Sequence, residues 1–190
     1  SDVIKQLAPQ LTYLGISLDS THSGTNLAIG RVERSGRQLS LNELTANLDY
    51  ARQMNPALKI KINTVVNALN ADEDLSGLIT RARPERWKLL RMLPVVDDTL
   101  AVSDEAFAAF VERHGAFQSI QCVEDNSDMC ESYLMVDPYG RFFQNQAAGE
   151  GGYLYSRPIL PSGAAVAFSE MRFNSAGFSS RYTTAPGEAS

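Results

Sequence analysis

Strand-like and helix-like segments alternate along the first 115 residues, and this alternation limits the folds that the chain can adopt. Residues 11–18, 58–66 and 86–96 are short apolar or alternating runs that predict strands. Helices are predicted at residues 1–10, from Ser40 to just before Pro56, at 72–82 and at 103–114, with a long loop at 19–37. Repeated strand–helix units of this kind favour a parallel α/β sheet.

Two of the predicted helices carry capping residues at their starts. Ser40 followed three residues later by Glu43 is the signature of a capping box, in which each side chain satisfies a backbone N–H. Ser103 is a favourable N-cap for the helix that ends at Gly115.

The character of the chain changes after residue 115. A short strand is predicted at residues 131–136, a tight turn at 137–140 and a hairpin partner at 141–145. Beyond about Gly149 the chain is rich in Gly, Ser, Ala and Pro, which favours an irregular tail, partly disordered from about Ala176. We therefore divide the chain into an α/β part (1–115), an extension with short strands (116–148) and a tail (149–190).

Composition excludes several classes of protein. The net charge of −5 argues against a protein that coats nucleic acid, and no apolar run approaches the length of about 20 residues that a membrane helix needs. The two cysteines, Cys122 and Cys130, are too few for a secreted disulfide scaffold and favour a cytoplasmic setting, although one disulfide between them stays open. The chain begins with Ser1 and shows no signal peptide, so we expect a fragment of a longer cytoplasmic protein.

The two later strands each place basic side chains on one face. In residues 58–66, Lys59, Lys61 and Asn63 alternate with apolar residues. Arg86 and Lys88 likewise share one face of the next strand. If both polar faces look the same way, Lys61, Arg86 and Lys88 converge and predict a polyanionic ligand such as a triphosphate. The alternative is an exposed edge strand with ordinary surface lysines.

Other candidate residues have weaker patterns. Ser17, Asp19 and Ser20 end the first strand, where α/β ligand sites form, but a simple turn or helix cap would use the same residues. Tyr133 fits either a core aromatic or a pocket hydroxyl. The two histidines lack metal-ligand spacing, so no metal site is predicted for this chain.

Seven segments carry a resemblance to a known family. They are Gly-Ile-Ser-Leu-Asp-Ser (15–20), Ile-Gly-Arg (29–31), Lys-Ile-Asn-Thr-Val-Val-Asn (61–67), Glu-Asp-Leu (73–75), Pro-Glu-Arg-Trp-Lys (84–88), Glu-Arg-His (112–114) and Ser-Tyr-Leu-Met-Val-Asp-Pro-Tyr-Gly-Arg-Phe (132–142). In this order they resemble the central and C-terminal part of the viperin family, antiviral radical S-adenosylmethionine proteins with prokaryotic relatives. The resemblance covers about residues 10–145.

The resemblance implies a fold and a reaction. The fold is a partial (βα)6 TIM-like barrel, of which this chain would be a fragment with a C-terminal extension. The family uses S-adenosylmethionine and a [4Fe-4S] cluster to convert a nucleoside triphosphate, CTP or another, to its 3'-deoxy-3',4'-didehydro analogue. An external electron donor of the reductase or flavodoxin type is implied, with no nucleic-acid or membrane partner.

The resemblance also assigns roles to individual residues. Ser17, Arg31 and Asn63 match positions that contact S-adenosylmethionine. The positions that hold the triphosphate correspond to Lys61, Arg86 and Lys88. Tyr133 matches a catalytic tyrosine near the nucleotide, a donor of a proton or hydrogen atom.

The chain departs from the family in its cysteines. The family's cluster needs three cysteines in the pattern C-x-x-x-C-x-x-C, whereas this chain has two, seven residues apart. We expect the fragment to lack roughly the first third of the enzyme, to be unable to bind the cluster and to be inactive alone. Its exposed sheet edges would favour self-association. The alternatives are a radical enzyme with another small-molecule or peptide substrate, or a non-catalytic nucleotide-binding module.

Overall fold

A computed structural model describes residues 2–95, 97–146 and 152–183. The chain divides into two compact units, which we describe separately. The first consists of Ser1–Arg91 and Val102–Val123, and the second of Met92–Ala101 and Glu124–Ser190.

A four-stranded sheet and the helices between its strands build the first unit. The strands are β1 (Tyr13–Ser17), β2 (Lys59–Val66), β3 (Arg86–Arg91) and β4 (Gln121–Glu124), of which the last residue, Glu124, belongs to the second unit. The helices are α1 (Asp2–Leu7), α2 (Ser23–Ala28), α3 (Leu41–Met54), α4 (Ser76–Ala82) and α5 (Asp104–Arg113), with short 3-10 turns at Ala8–Gln10 and Gly115–Phe117. The strand order is β1-β2-β3-β4, and β2 pairs in parallel with both β1 and β3. The predicted α/β class is thus confirmed.

The core of this unit lies on one face of the sheet. Alternate residues of β2 and β3 are buried there against the apolar faces of α3, α4 and α5. The buried members are Leu44, Leu48, Ala51, Ile60, Ile62, Val66, Leu78, Ile79, Ala82, Trp87, Leu89, Phe107 and Phe110. Because side chains alternate across a strand, the residues between them project from the opposite face.

Trp87 is the largest side chain of this core and has no exposed surface. Its ring meets Phe110, His114 and Phe117 edge-on, and its Nε1 donates a 3.0 Å hydrogen bond to Thr64 Oγ1. The Thr64 hydroxyl in turn donates to the Leu18 carbonyl. Trp87 therefore joins the packing of the helices to the carboxyl end of β1.

The second unit contains a three-stranded antiparallel sheet and short helices. Its strands, in sheet order, are β5 (Met135–Val136), β6 (Arg141–Asn145) and β7 (Tyr153–Pro158). Its helices are α6 (Asn126–Met129), α7 (Ile159–Ser162), α8 (Ala164–Phe168) and α9 (Ser175–Thr183). Gly140, with a φ of +70°, completes the turn that the sequence predicts between β5 and β6.

The capping predictions are confirmed. The side chain of Ser40 accepts from the Glu43 N–H while the Glu43 carboxylate accepts from the Ser40 N–H, which is the full capping box of α3. Ser103 accepts from the Ala106 N–H and starts α5.

Two predicted strands are shorter in the structure: the strand predicted at 86–96 ends at Arg91, and the strand predicted at 131–136 is confined to Met135–Val136. Three further predictions also differ from the structure. The 19–37 loop contains α2, which is too short to produce a helical repeat in the sequence. The helix predicted from residue 72 begins at Ser76, because Asp74 Oδ1 accepts the Ser76 N–H in a local turn that competes with the helix.

The third difference is the tail, which has a strand and three helices where its composition favoured irregular structure. β7 pairs with β6, and the Tyr153 and Tyr155 rings pack against Phe143. Aromatic pairing across the strands thus outweighs the glycine-rich composition around them. Residues 149–151 and 184–190 of the predicted tail lie outside the described residues.

Candidate functional site

The strand register places the predicted cations of β2 and β3 on one face of the sheet. Lys61 pairs with Arg86, and Asn63 pairs with Lys88. Residues that pair across parallel strands project to the same side, and this side is opposite to the core residues Ile62 and Trp87.

Strand β1 adds two residues to this side. Gly15 pairs with Lys61, and Ser17 pairs with Asn63. We call the resulting surface the polar face, and its members are Gly15, Ser17, Lys61, Asn63, Arg86 and Lys88. A β-carbon added at Gly15 would meet no atom within 4 Å, so the space beside Lys61 is open.

The three cations of the polar face are half-buried rather than extended into solvent. β2 and β3 both lie inside the strand order, with a neighbour on each side. The alternative of an exposed edge strand with ordinary surface lysines therefore does not describe them. Arg86 Nη2 also lies 3.2 Å from the Cys122 thiol, a neighbour that no pattern in the sequence predicts.

Asn63 has an unsatisfied atom on this face. Its Oδ1 is buried and has no hydrogen-bond partner among the described residues. A buried acceptor without a partner costs free energy, so a ligand N–H or O–H at this position would be stabilised.

Ser17 and Arg31 line a common cavity of about 380 Å³ beside the carboxyl end of β1. The loop and α2 that follow β1 form most of its wall. The structure thus brings together two residues that lie 14 positions apart in the sequence. Asn63 is not part of this wall but neighbours Ser17 through the strand register.

Asp19 organises the carboxyl end of β1 and is almost fully buried. Its Oδ2 accepts from Arg31 Nε at 2.5 Å and its Oδ1 accepts from the Val65 N–H at 2.8 Å. Asn70 Nδ2 donates to its backbone carbonyl at 2.8 Å. The polar residues after β1 had suggested Asp19 as part of a site or a turn, but the loop partner Asn70 had no sequence signal.

Ser20 and His22 meet a second carboxylate, that of Glu73. Both Glu73 oxygens lie 2.7 Å from Ser20 Oγ, and one lies 3.1 Å from His22 Nδ1. The loops after β1 and β2 are therefore tied together by Glu73. This arrangement fixes the wall of the cavity that contains Ser20.

Tyr133 belongs to the second unit. Its hydroxyl donates a 2.7 Å hydrogen bond to Glu124 Oε2, and only 2% of Glu124 is exposed. The phenolic proton is thus held by a buried carboxylate. Its ring is half-buried.

Cysteine chemistry at this site is limited. Cys122 and Cys130 are both free thiols, so the disulfide that the sequence left open is not formed. Burial and the neighbouring Glu131 raise the pKa of the Cys130 thiol. No group of three Cys, His, Asp or Glu side chains within the described ranges could hold a metal ion. The residues present therefore do not fit an iron–sulfur cluster.

The described helices include none that is both long and apolar enough to cross a bilayer.

Sequence comparisons relate the chain to one group of enzymes. An S-adenosylmethionine-dependent nucleotide dehydratase from Psychrobacter lutiphocae is 43% identical over 185 residues, which are 97% of this chain and 61% of the relative. One from Pseudoalteromonas ulvae is 41% identical over 180 residues, covering 95% of this chain and 58% of the relative. The S-adenosylmethionine-dependent nucleotide dehydratase RSAD2 of Danio rerio is 36% identical over 174 residues, covering 84% of this chain and 46% of the relative.

The matched region covers most of this chain but only part of each relative. No family model matches the chain. It spans about three fifths of the length of the two bacterial relatives. These identities extend over nearly all of its residues, and the chain is therefore a viperin-like protein, related to the S-adenosylmethionine-dependent nucleotide dehydratases.

Proposed function

We propose that this chain is the ligand-binding part of an S-adenosylmethionine-dependent nucleotide dehydratase that acts in antiviral defence. The complete enzyme would convert a nucleoside triphosphate, CTP or another, to its 3'-deoxy-3',4'-didehydro analogue. The observation that carries this proposal is the pairing of Lys61 with Arg86 and of Asn63 with Lys88, which aligns three cations on one face. The names of the relatives supply the reaction class.

The triphosphate is assigned to Lys61, Arg86 and Lys88. Three cations on one half-buried face can hold a polyanion through charge-assisted hydrogen bonds. Arg86 offers a planar fork that matches phosphate oxygens, while the lysines act as point charges. Gly15 leaves room for the ligand beside Lys61.

S-adenosylmethionine is assigned to the cavity beside Ser17 and Arg31 and to the adjacent Asn63. The cavity volume lies within the range of about 300–1,000 Å³ that is typical of small-molecule sites. The ligand carries an amino group and two ribose hydroxyls, which are the donors that the buried Asn63 Oδ1 lacks. Its carboxylate matches a guanidinium.

Tyr133 is proposed as the catalytic donor of a proton or hydrogen atom. The buried carboxylate of Glu124 orients the phenolic hydroxyl, and an oriented donor is a requirement of general acid catalysis. The family's iron–sulfur cluster has no ligand set among the described residues, so we assign no step to it in this chain.

The sheet supports a partial (βα)6 barrel as the wider fold. Parallel pairing in sequence order, with the helices packed on one face, is the arrangement of a barrel wall whose other face looks inward. We further propose a cytoplasmic location, an external electron donor of the reductase or flavodoxin type, and self-association of the isolated chain.

Calorimetric titration of the chain with CTP, ATP, GTP and UTP tests the proposed function. We expect at least one of these nucleotides to bind. Arg86→Ala should weaken its binding about tenfold or more, since a charge-assisted hydrogen bond contributes about 1.5–3 kcal/mol. Arg83→Gln is the matched control, because Arg83 is an exposed cation that pairs with Asp49 between two helices. Trp87 fluorescence is a poor reporter, since its ring lies in the core.

Two results would contradict the proposal. Failure of all four nucleotides to bind the wild-type chain would remove the triphosphate site. Equal losses in Arg86→Ala and Arg83→Gln would show that binding follows net charge and not the polar face.

A further inference from the structure

Asp19 holds Arg31 through one specific atom of the guanidinium. Its Oδ2 accepts the Arg31 Nε–H, and within the described part of the chain this is the side-chain pairing that Arg31 makes. Arginine has five N–H donors in a planar fork. Engagement at Nε leaves the two terminal nitrogens available to a ligand in the cavity that Arg31 lines.

The Asp19 carboxylate is itself fixed to the sheet. Its second oxygen accepts the Val65 N–H, and Asn70 Nδ2 holds its backbone carbonyl. Only 3% of Asp19 is exposed, whereas the Arg31 side chain is 45% exposed. The more exposed cation is therefore anchored to a buried anion that is itself hydrogen-bonded to the sheet.

The backbone of Arg31 is constrained as well. Its N–H donates to the Asn26 carbonyl at 2.7 Å, at the end of α2. Gly30, which precedes it, has a φ of +75°, a left-handed conformation that favours glycine. Both the start of the Arg31 side chain and its Nε are thus held in place, and the end of the guanidinium is directed by these two anchors.

We propose that Asp19 is a positioning residue, which fixes the Arg31 guanidinium so that its terminal nitrogens meet the anionic group of the ligand in this cavity. This inference rests on the proposed function, which names that ligand as S-adenosylmethionine. Asp19 also lines this cavity, but its two carboxylate oxygens are already engaged by Arg31 and by the Val65 N–H, so it acts through Arg31. Its effect is therefore specific to ligands that carry the carboxylate.

The conservative variant Asp19→Asn separates this role from a structural one. Asparagine keeps an oxygen for the Val65 N–H but presents an amide donor to the Arg31 Nε–H, so only the link to Arg31 is lost. We expect calorimetry to show that Asp19→Asn weakens the binding of S-adenosylmethionine about tenfold, because one hydrogen bond to a charged group is lost. The affinity for decarboxylated S-adenosylmethionine should change less than twofold.

Two further variants complete the experiment. Arg31→Gln should weaken the binding of S-adenosylmethionine by a similar factor. The double variant, with Asp19→Asn and Arg31→Gln, should lose no more affinity than Arg31→Gln alone, because Asp19 acts through Arg31. Thr64→Val is the structural control: it removes the hydrogen bond to the Leu18 carbonyl beside Asp19 without touching Arg31. It should lower the melting temperature while leaving the affinity unchanged.

The outcomes that overturn the inference are distinct from those that overturn the function. If the wild-type chain binds S-adenosylmethionine and Asp19→Asn binds it equally well, Asp19 has no positioning role. Equal losses for both ligands, or additive losses in the double variant, would make Asp19 purely structural. If the wild-type chain binds neither ligand, the assignment of the cavity fails and the inference fails with it.

Discussion

Lys61 and Arg86 are register partners on neighbouring parallel strands, and their side chains project from the same face of the sheet. Ile60 and Ile62, which flank Lys61, and Trp87, which follows Arg86, are completely buried on the other face. A single sheet therefore separates a packed core from a surface of concentrated positive charge.

Loss of Lys61 should affect nucleotide binding more than S-adenosylmethionine binding. Lys61→Ala removes one of three cations from the polar face, so we expect the Kd of the bound nucleoside triphosphate to rise about tenfold. The Kd of S-adenosylmethionine should change less than threefold. Calorimetric titration with both ligands measures the two effects, and equal losses would contradict the assignment of Lys61.

A side chain at Gly15 should block the ligand without disturbing the fold. A β-carbon there meets no atom within 4 Å, so Gly15→Val adds volume beside Lys61 at no steric cost, and valine favours strands. We expect an unchanged or higher melting temperature together with a loss of nucleotide affinity of at least about tenfold.

Gly77→Ala is the control for Gly15→Val. Gly77 lies in α4, and a β-carbon there also meets no atom within 4 Å. The alanine should stabilise the helix by about 0.5–1 kcal/mol and leave nucleotide binding unchanged. Wild-type affinity in Gly15→Val would place the ligand elsewhere.

The stability of the first unit should depend on pH through His114. Its Nδ1 contacts the Phe110 carbonyl and its Nε2 accepts the Leu75 N–H, so the ring is held neutral with no exposed surface. Burial lowers the pKa of His114 from its ordinary value of 6.5, despite the opposing effects of Phe110 and Asp74.

The sign of the pH effect follows from this lowered pKa. The unfolded chain binds the proton more tightly, so the contribution of His114 to stability is complete above about pH 6.5 and is lost as the pH falls toward the folded-state pKa. Urea unfolding at about pH 7.5 and 5.5 should show lower stability at the acidic pH.

A histidine variant identifies the source of that pH dependence. His114→Gln should be less stable by about 1–3 kcal/mol at neutral pH, because buried partners lose their hydrogen bonds, and its stability should vary less with pH. Retention of the full wild-type pH dependence in His114→Gln would contradict this assignment.

Bound nucleotide should protect Cys122 from alkylation. The Cys122 thiol lies 3.2 Å from Arg86 Nη2, so a phosphate held by Arg86 would cover it. With iodoacetamide and mass spectrometry, a saturating nucleoside triphosphate should slow modification of Cys122 at least about fivefold, since a reagent excluded from the bound state reacts with the small free fraction only. Cys130, whose pKa is raised, should react slowly with or without the nucleotide. Equal protection of both thiols would indicate a general tightening of the protein.

The features that sequence reasoning found are those governed by local periodicity. The alternation of Lys59–Val66 and Arg86–Arg91 fixes which residues share a face, because the side-chain repeat of a strand is two. The capping box of Ser40 and Glu43 is likewise contained within four residues. These short-range rules gave the α/β class, the polar residues of each strand and the start of α3.

The features that sequence reasoning missed depend on contacts across loops. The pairing of Asp19 with Arg31 requires the path of α2 and the left-handed Gly30, which no periodic pattern signals. The contact of Arg86 with Cys122 requires the position of β4 relative to β3. In the second unit, the hydrogen bond of Tyr133 to Glu124 and the pairing of β7 both depend on tertiary packing rather than on composition.

The alternation of Lys59–Val66 also restricts how such a chain can diversify. Inserting or deleting one residue within this strand would exchange its two sides, so Ile60 and Ile62 would enter water and the lysines would enter the hydrocarbon interior. The strand can change only by substitution, because substitutions leave each remaining residue on its own side of the sheet. Differences in length between descendants of this protein must therefore accumulate in the segments that join its strands, and new preferences for a ligand would arise there.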